Sequence, residues 1–239
     1  MIAFAAAEPR DVAPYLAHLA RFCRCGNLVA RWPRRPEGNH PDGWGVAYRR
    51  GDAIAVVRSG KPAAADPRLG EIAAKTTRFI GHVRYASNPE TVNEGNSHPF
   101  LSGGVALAHN GTFQGRIGRE ADARKVSDTL VFTEVLAAVW RDRTLDGLRE
   151  TLSRLLGDAD LVGPYSAANM LIAWGDSLFA LRKFRKEPEY YTLHLHAGEG
   201  LAVVASEPLD DRPGWRLLSD GELVALSGPA PRSLSLAGT

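Results

Sequence analysis

The feature that most constrains this chain is a series of short apolar runs, each bounded by turn residues and too brief for a long helix. They fall at 43–50 (GWGVAYRR), 53–58, 78–85 (RFIGHVRY), 104–109, 168–174 (ANMLIAW), 177–183, 190–196, 201–205 and 222–226. Several are continuous rather than alternating, so they read as strands covered on both faces. The opening MIAFAAAEP has the same character. Three amphipathic segments interrupt the pattern at roughly 10–24, 126–142 and 144–156. Leu130, Val131, Val135, Leu136 and Val139 form one helical stripe behind the capping residues Ser127 and Asp128. In the third, Thr144 and Asp146 open a run carrying Leu145, Leu148, Leu152, Leu155 and Leu156. Sheets with helices packed outside them, an α+β layered fold, satisfy this order.

No repeat or Pro/Ser-rich linker divides the 239 residues, so one domain is expected, with a loose tail over 228–239. A net charge of +2 gives no basis for nucleic-acid or anionic-membrane binding. The basic clusters Arg31 to Arg35 and Arg182 to Lys186 lack aromatic interleaving and read as solvated faces. No apolar run approaches the ~20 residues of a membrane span, and the start lacks the pattern of a signal peptide. A cytoplasmic location is therefore expected. Cys23 and Cys25 are too close in sequence for a favourable disulfide and have no partners at zinc-ligand spacing, so they read as reduced thiols.

Polar residues and glycines gather at strand ends in HPDGWGVAY (40–48), GHVRYASN (81–88), NSHPF (96–100), AHNGTF (108–113) and VSDT (126–129). Arg84, in an otherwise buried strand, needs a partner. It is either a structural ion pair with Asp128 or Glu94, or a fork of donors for a ligand carboxylate. Asp128 is either a helix cap or an acceptor for a ligand ammonium group. Asn110-Gly111 is first a turn signal, and second a pair of donors suited to an oxyanion. His40, His82 and His98 lack metal-ligand spacing and read as structural histidines, so neither a metal nor another cofactor is expected.

In order and spacing these stretches, together with AANMLIAWGDSLFALR, VVASEPLD and GWRLLSDGELV, resemble the class II glutamine amidotransferases, most closely the stand-alone amidotransferase-like proteins. The resemblance runs through nearly the whole chain. It implies the N-terminal-nucleophile hydrolase fold, a four-layer αββα sandwich. An N-terminal cysteine would attack the glutamine amide, with its own amine as base, and release ammonia to a synthase domain or partner. Arg84 would hold the glutamine carboxylate, Asp128 its amine, Ser87 would add a contact, and Asn110 with Gly111 would form the oxyanion hole. Trp44, His82 and Glu207 would shape the site.

The departure is at the start, where family members begin Met-Cys and this chain puts Ile2 at the nucleophile position. Isoleucine has no nucleophilic atom, and Cys23 and Cys25 lie at the end of the expected first helix without a positioned amine. Loss of a nucleophile costs on the order of 10⁶ in turnover, about 8 kcal/mol. The expectation is a pocket that binds glutamine or a related amino acid without cutting it, as a sensing or partner subunit, with any synthase on another chain. The alternative is an active amidotransferase, releasing glutamate and ammonia, with a different true start or a substituted nucleophile.

Overall fold

Alternate residues of the first strand, β1 (Ile2–Asp11), serve two different cores. Ile2, Phe4 and Ala6 pack on one side with residues of the helix α1 (Ala13–Arg24), while Met1, Ala3 and Ala5 pack on the other against a second sheet. That period of two is what a strand in the middle of a sandwich requires. The computed structural model describes all residues except 27–37, 228–229 and 237–239, so the basic cluster Arg31 to Arg35 lies outside the described residues.

After α1 come β2 (Trp44–Arg50), β3 (Ala53–Ser59), a single-turn α2 (Pro67–Gly70) and β4 (Lys75–Val83). Next are β5 (Phe100–Ser102), β6 (Val105–Gly111), α3 (Arg116–Arg124), α4 (Asp128–Val139), α5 (Leu145–Gly157) and the short α6 (Ala159–Val162). The chain continues through β7 (Ala168–Trp174), β8 (Ser177–Arg182), β9 (His194–Gly198), β10 (Leu201–Ala205), β11 (Arg216–Leu217), β12 (Glu222–Ala225) and β13 (Arg232–Ser235).

One sheet has the order β11-β9-β10-β1-β4-β2-β3 and the other β13-β12-β8-β7-β6-β5. All the pairings are antiparallel. α1 and α2 cover the first sheet, where Leu16, Leu19 and Leu69 join Phe4, Trp44 and Phe79. α3 to α6 cover the second, where Phe132, Leu136, Leu148 and Leu152 meet Leu107, Met170 and Ile172. Between the sheets the contact layer is rich in alanine: Ala3, Ala5, Ala47, Ala106, Ala108, Ala173, Ala180 and Ala202. The layers therefore run helix, sheet, sheet, helix, as the resemblance implied.

Four local expectations change. Residues 232–235, placed in a loose tail, pair in register with β12. Residues 190–193, placed in a strand, belong to the loop before β9. Asp11 extends β1, so the first helix begins at Ala13 rather than residue 10. α3 was not anticipated, because its exposed face is charged and a glycine at 118 interrupts its pattern. No helix among the described residues is long and apolar enough to cross a membrane.

Candidate functional site

β4, β6 and β10 end, and β1 and α4 begin, around one cavity of about 350 Å³. Arg84 is placed by an extension of the β2–β4 pairing, its N–H donating to the Gly43 carbonyl (2.8 Å) and its carbonyl accepting from Asp42 (3.0 Å). Gly43 has φ +123°, and a Cβ there would lie 2.3 Å from Ser97 Oγ, so only glycine lets the strands meet. The buried guanidinium donates to the Thr91 carbonyl (2.9 Å) and Thr91 Oγ1 (2.7 Å). Burial lowers its pKa, opposed by Asp42 and Asp128. Among the described residues Arg84 makes neither ion pair weighed from sequence, and Glu94 instead pairs with Arg68 at 3.2 Å. Two of its five donors thus hold Thr91, and the residue still lines the cavity.

Asp128 is the first residue of α4, one position after the N-cap Ser127. Its carboxylate accepts from the backbone N–H of Phe113 (2.7 Å) and of Thr129 (2.8 Å), tying the exit of β6 to the helix start. The half-buried carboxylate also faces the cavity.

Asn110 and Gly111 do not form the turn their dipeptide signals; they remain paired with Asn169 and Ala168 of β7. Gly111 has φ +142°, and a Cβ would sit 1.8 Å from the Ala167 carbonyl oxygen. Asn110 Oδ1 lies 3.0 Å from His82 Nε2. His82 is fully buried, and desolvation, helped by the nearby α-amine, holds its pKa well below the ordinary value. The neutral ring satisfies this contact by donating from Nε2, which assigns the Asn110 oxygen to His82 and turns its NH₂ away from that bond. Among the described residues His82 Nδ1 has no hydrogen-bond partner.

His82 begins a buried cluster. Its ring is 4.5 Å from that of His98, whose Nε2 meets Ser127 Oγ at 3.2 Å and whose Nδ1 accepts from the His109 backbone N–H at 3.4 Å. His109 contacts Thr129 Oγ1 and the Ala167 carbonyl, both at 3.1 Å. His40 Nδ1 lies 3.1 Å from the Phe22 carbonyl. These rings are structural cross-links, and no group of three His, Cys, Asp or Glu able to hold a metal occurs among the described residues.

The remaining expected residues separate. Ser87 is an exposed rim residue, and Glu207 is a buried wall residue, 3.3 Å from Arg21. Trp44 does not line the cavity; it is fully buried on the helix side, with Nε1 donating to Asp66. Ile2 lies in that same core, fully buried beside Phe4. The residue that β1 turns to the cavity is Met1, because side chains alternate along a strand and position 1 faces opposite to position 2. Its α-amine donates to Ser206 Oγ at 3.0 Å, and desolvation, opposed by Glu207, brings its pKa to about 5. Such an amine is unprotonated at neutral pH. Cys23 is buried within α1 and Cys25 exposed at its end; neither lines the cavity.

Sequence reasoning missed Met1, Ser206 and the loop residues Glu187, Tyr190 and Tyr191, all of which line the cavity. The alternation of large Ile2 and Phe4 with small Ala3 and Ala5 held the clue to Met1. The arrangement supplies a guanidinium, a carboxylate, an amide beside a glycine N–H, and a neutral amine.

The family model described as "Glutamine amidotransferases class-II" matches residues 27–196. Similar proteins include the gamma-glutamyl-hercynylcysteine sulfoxide hydrolases of Mycolicibacterium smegmatis, 29% identical over 83% of this chain and 85% of the relative, and of Mycobacterium tuberculosis, 28% identical over 82% and 80%. Among solved structures, a glutamine aminotransferase class-II domain protein from Silicibacter pomeroyi superposes with a TM-score of 0.64 at 20% identity, covering 99% of this chain and 98% of that one. Glutamine phosphoribosylpyrophosphate amidotransferase from B. subtilis gives 0.66 at 18% identity, with all of this chain covering 49% of the larger enzyme.

Proposed function

The chain belongs to the class II glutamine amidotransferases, and on that premise we propose that its cavity takes the glutamyl end of glutamine or a γ-glutamyl compound without forming the thioester of that family. The observation that carries this reading is the meeting of Arg84, Asp128, Asn110 and Gly111 around one cavity that β1 enters with Met1. Arg84 receives the α-carboxylate through charge-assisted bonds, and Asp128 receives the α-ammonium group. Asn110 and the Gly111 N–H meet the side-chain carbonyl, with Ser87 at the rim. His82 acts through Asn110, and Glu207 through Arg21 and the Met1 amine. The described cavity lining contains hydroxyls, imidazoles and carboxylates but no thiol. Residues 1–239 act in this proposal as one cytoplasmic domain that binds an amino acid and serves a synthase or another protein partner.

Calorimetry with L-glutamine on wild type and Arg84→Gln tests the pocket, with parallel assays for ammonia and glutamate. Binding that weakens about thirtyfold in the variant is expected, about 2 kcal/mol, together with no product above the buffer control. Unchanged affinity in Arg84→Gln removes the carboxylate role. The names of the relatives favour a second reading, hydrolysis of a γ-glutamyl compound. Sustained release of glutamate from wild type selects it.

A further inference from the structure

The outermost strands of the two sheets are not alike. β11, β13 and β5 have two, four and three residues, and shortness is one way in which a fold blunts a sheet edge. β3 has seven, reads AIAVVRS and pairs with β2 without a bulge from Ala53 to Ser59. It carries no proline and no lysine, the residues that otherwise keep an edge from pairing. Segment 93–97 reaches the Ser59 end, where Arg58 donates to the Gly95 carbonyl (3.3 Å) and Ser97 Oγ to the Ser59 carbonyl (2.8 Å). Among the described residues no strand pairs with the outer side of β3, and residues 53–57 make no hydrogen bond outside their ladder with β2.

The apolar layer between the sheets runs out on this side. Ile54 and Val56 are half-buried at its margin. Leu101 of β5 shares a face with its ladder partner Ala106, which belongs to that layer, yet is 45% exposed. The two edges are neighbours, with the Arg58 guanidinium 5.6 Å from the centroid of the Phe100 ring.

Charge names the occupant. Arg58 makes no ion pair among the described residues, while Asp52, at the turn before β3, is fully exposed beside Arg49 at 3.4 Å. A second copy placed by a two-fold axis normal to the sheet runs antiparallel to the first and opposes residues of like parity. Centred on Ala55, this pairing sets Arg58 of each protomer against Asp52 of its partner, Ile54 against Val56, and Ala53 against Val57. Sliding it by one step sets Arg58 against Arg50 in one direction and against Ile54 in the other. One register therefore satisfies both the charges and the apolar face.

We propose that β3 is an interface between two copies of this chain, joined edge to edge about a two-fold axis at Ala55. Backbone hydrogen bonds between the two strands supply the adhesion, the two Arg58–Asp52 pairs fix the register, and Ile54 and Val56 gain cover. No residue of β3 is among the described residues lining the cavity, so the interface is independent of what the cavity binds.

Sedimentation equilibrium of the full chain tests it. Wild type is expected to reach twice the monomer mass by about 100 µM. Asp52→Arg and Arg58→Glu each place like charges together at both ends, and each is expected to raise the dissociation constant about tenfold. An equimolar mixture of the two, in which every charge again meets its opposite, is expected to recover the dimer, which it can do only if both variants are folded. Disulfide trapping reads the same contact without altering charge. In a Cys25→Ser background, Ala55→Cys is expected to cross-link to itself under mild oxidation, because opposed Cα atoms of antiparallel strands lie within disulfide reach. Ala53→Cys, which opposes Val57, is expected to stay uncross-linked. A wild-type monomer at about 100 µM overturns the interface, as does a dimer that both charge variants leave intact. Failure of the mixture to recover, or equal cross-linking at positions 53 and 55, overturns it as well.

Discussion

The two walls of the cavity are built on different principles. The wall formed by β4, β6 and the start of α4 fixes individual atoms: Arg84 through Thr91, Asn110 through His82, Asp128 through the N–H groups of Phe113 and Thr129. The wall formed by residues 187–192 fixes a backbone and lets its rings present surfaces. Hydrogen-bonded atoms discriminate by position, whereas aromatic faces discriminate by charge and area. One cavity thus combines a strict end with an adaptable one.

The sharpest way to break this contrast is Gly111→Ala. With φ +142° and a Cβ driven against the Ala167 carbonyl, the substitution is expected to cost about 4 kcal/mol of stability, read by denaturant unfolding, because the strict wall has no slack. Arg182→Met attacks the other wall. Carbonyls of Pro188, Tyr191 and Leu218 lose their donor, and about 3 kcal/mol is expected to be lost. Hydrogen exchange is expected to rise first in residues 187–192, while amides of β6 keep their protection. A uniform rise through both walls contradicts the division.

A pH titration separates the walls more gently. Burial holds His82 and His98 well below the ordinary histidine pKa, so the unfolded chain binds protons that the native chain refuses. Stability contributed by these rings is complete above about pH 6.5 and declines as pH falls, by about 1 kcal/mol per histidine between 6.5 and 5.5. Thermal unfolding across that range is expected to show the slope, and His98→Gln to reduce it.

The smallest effect concerns Trp44. It lies outside the cavity, so Trp44→Phe, which removes the donor to Asp66, is expected to lower stability by about 1 kcal/mol. Affinity for L-glutamine, by calorimetry, is expected to stay within twofold. A larger loss returns Trp44 to the site.

Much of this was legible in sequence because it depends on period and composition. Continuous apolar runs marked β2, β7 and β10, and the leucine spacing marked α5. The family resemblance, not period or composition, drew Arg84, Asp128, Asn110 and Gly111 together from stretches that lie far apart in the chain. What escaped was settled by tertiary contacts. β13 has little apolar character of its own and exists through its ladder with β12. The Asn-Gly pair obeys β7 rather than its turn propensity. Tyr190 and Tyr191 have strand-forming side chains, but Arg182 and Glu187 claim their backbone for a loop. Which way residues 1 and 2 face depends on strand parity, which sends Ile2 to the helix-side core and Met1 to the core between the sheets.

The anchorage of the 187–192 loop has a consequence for engineering. Arg182 grips carbonyl oxygens, which every amino acid carries, so the grip is indifferent to which side chains stand at 190 and 191. The loop is a cassette: its half-buried rings can be exchanged for other chemistries while the clamp keeps the replacement seated at the same height above the floor of the cavity.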